Sequence, residues 1–93
     1  MDPKTADFHA GEFIFTFANT RDAMEGEKKL LAGGINPGVM PLPDQLGAGC
    51  GICLRTGRAE LEKARAVLGN NFQGIYAAQT AGSGKKVFIP WNA

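Results

Sequence analysis

The sequence predicts an α+β fold, an antiparallel four-stranded sheet with two helices on one face. Three observations predict it. Phe13, Phe15 and Phe17 recur at period two, the alternation of a strand with one buried face. Two stretches repeat apolar residues at helical spacing, one through Ala23, Leu30 and Leu31 and one through Leu61, Ala64 and Leu68. Short extended segments bounded by glycine, proline and asparagine separate and follow them.

Residues 1–11 carry acids, a proline and the single histidine, His9, and read as a flexible N-terminal arm. Glu12 to Phe17 is the first strand, with β-branched Ile14 and Thr16 between the phenylalanines. Asn19 or Thr20 caps the helix that follows, Asp22 sits in its first turn, and Glu25 and Lys29 form an i,i+4 pair. That helix is expected over 20–32, ending at Gly33-Gly34. Asn36-Pro37-Gly38 is a turn. Val39 to Pro43 is extended, and Pro41 and Pro43 cannot donate to a ladder, so it belongs at a sheet edge.

Gly47-Ala48-Gly49-Cys50-Gly51 is a glycine-dense loop leading into a third strand, Ile52 to Arg55. Gly57 and Arg58 open the second helix, which ends at Gly69-Asn70-Asn71. Gly74 to Ala77 is the fourth strand. The organisation expected is an arm at 1–11, one α+β domain at 12–78, and a glycine-rich linker with an apolar C-terminal tail at 79–93. Val87 to Trp91 in that tail should pack on something. Strand, helix, strand, strand, helix, strand is the βαββαβ order of a ferredoxin-like sandwich, whose sheet runs 4-1-3-2. The proline-bearing second strand then falls at an edge.

A chain of 93 residues holds one core and leaves no room for a separate cofactor domain. Ten basic residues against nine acidic give a formal charge of +1, which points to no nucleic-acid partner and no anionic membrane. The first residues do not form a signal peptide, and no apolar run is long enough to span a bilayer. Two cysteines make no disulfide framework. The expected location is cytoplasmic, where closely spaced cysteines are more often reactive or metal-bound than structural.

The predicted topology gives the thirteen glycines a meaning. The end of strand 1, the start of helix 1 and the loop between strands 2 and 3 share one end of the sheet. Thr20 and Arg21 then neighbour Cys50. Helix N–H groups, a positive dipole end and the Arg21 guanidinium favour the thiolate. Gly49 and Gly51 let the backbone turn its N–H groups toward an anion. The plainer reading is a tight turn, with Cys50 packed as a small apolar residue and Cys53 in the strand core.

Cys50-Gly51-Ile52-Cys53 is a C-x-x-C with three chemistries open to it. A thioredoxin-type site wants the pair at a helix start, whereas this run continues as a strand. Zinc needs four ligands, so a metal would require a homodimer supplying both pairs. A sulfur-relay thiol needs one nucleophilic cysteine on an accessible loop. Gly82-Ser83-Gly84-Lys85-Lys86 lacks the first glycine and the Ser/Thr of a phosphate-binding loop and precedes a strand, so it reads as solvated linker. No metal site and no cofactor are assigned within one chain.

One set of residues runs through the domain: the strand ending Thr16-Phe17, then Asp22-Ala23 with Glu27-Lys28-Lys29-Leu30-Leu31. Pro41-Leu42-Pro43, Gly49-Cys50-Gly51-Ile52 with Arg55, and Gly74-Ile75-Tyr76 complete it. On these, residues 12–77 resemble the selenium/sulfur carrier protein-like family. The resemblance implies a carrier whose Cys50 holds a persulfide or selenosulfide for transfer to or from a partner enzyme. It would be an accessory protein rather than a stand-alone enzyme. Cys53 stands where the family pattern has a small or apolar residue, which opens a dithiol alternative with Cys53 as resolving thiol. A further alternative is a ferredoxin-like interaction module whose sheet edge pairs with a partner or a second copy.

Overall fold

Phe13, Phe15 and Phe17 organise the fold. A computed structural model describes residues 12–43, 46, 51–80, 84 and 86–91. The elements are β1 (Glu12–Thr16), α1 (Thr20–Ala32), β2 (Gly38–Pro41) and β3 (Ile52–Gly57). A 3-10 turn (Arg58–Glu60), α2 (Leu61–Leu68), β4 (Gly74–Thr80) and β5 (Lys86–Pro90) follow. The architecture is α+β, with both helices on one face of an antiparallel sheet whose order is β2-β3-β1-β4-β5.

The sheet therefore has five strands rather than four. β4 runs on to Thr80, and Lys86–Pro90 lies against it, with Ala77 opposite Ile89 and Ala78 opposite Phe88. The apolar segment did need something to pack on, and its partner is β4. Its pattern concealed this: Val87 and Ile89 point to one face and Phe88 to the other, so apolar residues fall on both. Pro90 also reads as a strand breaker, yet at an outer strand its missing N–H is tolerated. The expected arm 1–11, and 81–83 and 85 of the expected linker, lie outside the described residues.

α1 begins where Asn19, in extended conformation, accepts a 2.8 Å hydrogen bond from the Asp22 amide. Asn19 rather than Thr20 is the cap, satisfying one donor of the first turn. At the other end the Gly34 N–H bonds to the Leu31 carbonyl and the Ile35 N–H to the Leu30 carbonyl at 2.8 Å. This closing motif requires the left-handed conformation at Gly34, whose φ is +86°. Ile35 then tucks into the core with Leu30. The second helix starts less cleanly. Gly57 offers no side-chain cap, and the chain makes a 3-10 turn before α2.

Between sheet and helices lies the larger core: Phe13, Phe15, Phe17, Leu54, Ile75 and Ala77 beneath Ala23, Leu30, Leu61, Ala64 and Leu68. Phe72 meets Phe15 edge-on at 5.2 Å, and Trp91, just past β5, meets Phe13 at 5.1 Å. Gly26 permits close packing here: a Cβ in its place would sit 2.9 Å from the Phe17 ring and 3.2 Å from Leu68. The opposite face carries a smaller buried cluster of Ile14, Cys53 and Ala78, flanked by Met40, Leu42, Leu46, Tyr76 and Phe88.

Candidate functional site

The ladder sets the stage for the predicted thiol loop. β1 and β3 are antiparallel, with Phe15 opposite Leu54, and β2 and β3 are antiparallel, with Pro41 opposite Ile52. The C-terminal ends of β1 and β2 and the N-terminal end of β3 therefore lie at one end of the sheet. α1 starts there too, four residues past β1. The Leu42 N–H donates to the Gly51 carbonyl at 3.0 Å, carrying the β2–β3 pairing one step beyond the strands.

Cys50 and Gly49 lie outside the described residues. Gly51, Thr20 and Arg21 are all exposed. A side chain at Gly51 would meet nothing within 4 Å, so close packing does not dictate glycine there. Asn19 engages the amide of Asp22, leaving the earlier part of the first turn outside the cap's own hydrogen bond.

Cys53 sits differently. Its relative exposure is 0%, and its Sγ donates to the Pro41 carbonyl at 3.7 Å, across the ladder from Met40. It belongs to the cluster on the face away from the helices, between Ile14 and the side chains of Met40, Leu42 and Leu46. Among the described residues no group of three or more His, Cys, Asp or Glu side chains could hold a metal ion. No described helix is long and apolar enough to cross a membrane. Lys86 opens β5, so a strand follows the glycine-serine-lysine stretch, where a phosphate-binding loop would need a helix.

A third segment reaches the same end of the sheet. The Gln73 N–H bonds to the Thr16 carbonyl at 2.6 Å, and the Asn71 side chain donates to the Asp22 carbonyl at 3.4 Å. Ala18, Asp22, Asn70, Asn71, Phe72 and Gln73 line a cleft of about 240 Å³. Asn70 and Asn71, expected from the sequence only as the end of the second helix, thus reach the site. The signal was available: a fourth strand antiparallel to the first must begin where the first ends.

With this geometry in place, a family model described as Putative Se/S carrier protein-like matches residues 12–79. The chain belongs to that family. No curated protein and no solved structure gives a significant match. In this Se/S carrier-like chain the matched stretch runs from β1 to within one residue of the end of β4. It takes in the β2–β3 connection with Cys50, and it stops short of β5, the strand that the four-strand expectation omitted.

Proposed function

We propose that this chain is a sulfur or selenium carrier, with Cys50 as the carrying atom's anchor. The observation that carries the reading is the family match over residues 12–79, which spans the thiol loop. The ladder supports it by gathering α1's first turn and the start of β3 at one end of the sheet. In this reading the Cys50 thiolate attacks the outer sulfur of a donor enzyme's persulfide. One S–S bond forms as another breaks, the donor cysteine leaves as thiolate, and no net oxidation occurs. Thr20, Arg21 and the backbone at Gly49 and Gly51 stabilise the anion. The scaffold is a ferredoxin-like sandwich extended by β5, working in the cytoplasm beside its partner enzyme.

Incubation with a cysteine desulfurase and cysteine, followed by mass spectrometry without reductant, tests the reading. One added sulfur on the Cys50 peptide is expected, and Cys50→Ser should lose it. Persistent absence of that mass sinks the carrier. A second reading, a non-catalytic interaction module, draws on the exposed Val39 of β2 and the exposed Val87 and Ile89 of β5. These are the two outer strands, where further chains can add to a sheet. A module would keep its partner in Cys50→Ser; a carrier would lose its cargo.

A further inference from the structure

Two thiols three positions apart invite an internal disulfide, yet Cys53 is held where it cannot easily take part. Resting on the carrier reading, we propose that Cys53 is a packing residue and that the cargo on Cys50 is discharged only by a nucleophilic thiol brought by the acceptor. The described geometry of Cys53 argues this on three grounds.

The sulfur has no exposed surface, whereas thiol–disulfide exchange needs the attacking sulfur to reach its target. Its surroundings are apolar, with Ile14 and Ala78 buried beside it and Met40, Leu42, Leu46, Tyr76 and Phe88 around them. These side chains close over the sulfur on the face away from the helices. The backbone is also committed. Cys53 pairs with Met40, Ile52 with Pro41, and the Gly51 carbonyl accepts from Leu42. This pairing fixes the Cys53 backbone in the sheet, and exposing its sulfur means displacing the Met40, Leu42 and Leu46 side chains that cover it.

The two discharge routes differ in products. Internal resolution would join the Cys50 and Cys53 sulfurs, release the outer sulfur as hydrogen sulfide, and leave an oxidised protein. Acceptor discharge moves the outer sulfur to the acceptor's thiolate, breaks the bond to Cys50, and returns Cys50 as a thiolate. The second route regenerates the carrier without a reductant.

The experiment uses the full chain loaded by cysteine desulfurase and cysteine and freed of small thiols. Wild type and Cys53→Ala should hold the added sulfur with half-lives within about twofold of each other. Neither should release sulfide until glutathione, the probe thiol, is added, and both should then discharge at similar rates. Cys53→Ser, which keeps the shape of the side chain and its donor to the Pro41 carbonyl, replaces the alanine variant if that fails to fold. Titration of the unloaded wild type with a thiol reagent should count one fewer reactive cysteine in native protein than in urea. Sulfide release from wild type alone, with a Cys50–Cys53 disulfide in its peptide map and retention in Cys53→Ala, overturns the proposal. So does an equal thiol count in native and denatured protein. Failure of both proteins to acquire sulfur instead removes the carrier reading on which the proposal rests, and the loading step reveals that before any discharge is measured.

Discussion

The two faces of the sheet are built differently. Under the helices, Phe13 and Phe15 of β1 and Phe17 just past its end meet residues of both helices. On the other face, Ile14, Cys53 and Ala78 are just as buried, but their cover is a rim of half-exposed side chains from β2, β4, β5 and the β2–β3 connection. The first face holds the fold together. The second is thinner, and it contains the one described cysteine, so the enclosure of Cys53 depends on the less heavily built side of the molecule.

Among substitutions, the largest effect should come from the helix face. Phe15, with 0% exposure, lies at its centre against Phe72. Phe15→Ala should cost about 3–5 kcal/mol, read from the urea midpoint. That is a large share of the stability of a small domain. Ile14, its neighbour on β1, points to the opposite face. Ile14→Ala should cost about 2 kcal/mol, the low end for such a truncation, because a rim of half-exposed side chains can settle into the space. Equal losses from the two variants would mean that the second face is a core in its own right. Ile14→Ala should also raise the rate at which Cys53 meets a thiol reagent, whereas an equally destabilising change under the helices should raise it only through global unfolding.

The helix face was legible in the sequence and the other was not, for a physical reason. A period-two row of phenylalanines and a 3.6-period row of small and aliphatic residues announce a sheet buried under helices. Pro41 likewise announced an outer strand, and β2 is one. The second face shows as single residues, Ile14, Cys53, Ala78 and Phe88, spread over four strands. No window of sequence collects them; only the register does. β5 was hidden by the same cause, since its two faces are both apolar and periodicity sees no contrast. Cys53 was correctly placed in a strand, but its enclosure comes from Met40 and Leu46, which sequence spacing does not bring near.

The smallest expected effects come from one substitution that can be made on both faces. Glycine to alanine adds a single methyl group. At Gly26 that methyl falls 2.9 Å from the Phe17 ring, which is 1% exposed and fixed among helix residues. The gain in helix propensity, about 1 kcal/mol, is outweighed by overpacking of about 1–3 kcal/mol. Gly26→Ala should therefore lower stability by about 1 kcal/mol. At Gly38 the methyl falls 2.7 Å from the Arg55 guanidinium, a closer approach by the bare distance. Yet Arg55 is half exposed and held by one ion pair to Glu12 at 3.6 Å. A surface pair of that kind contributes roughly 0–1 kcal/mol, and the guanidinium can swing into water. Gly38→Ala should change stability by less than about 0.5 kcal/mol while removing the salt dependence that the Glu12–Arg55 pair supplies. The closer contact should thus be the cheaper one, because what resists the methyl is a solvated chain end on one face and a locked aromatic ring on the other. A Gly38→Ala cost as large as that of Gly26→Ala would show the polar end of the second face to be rigid.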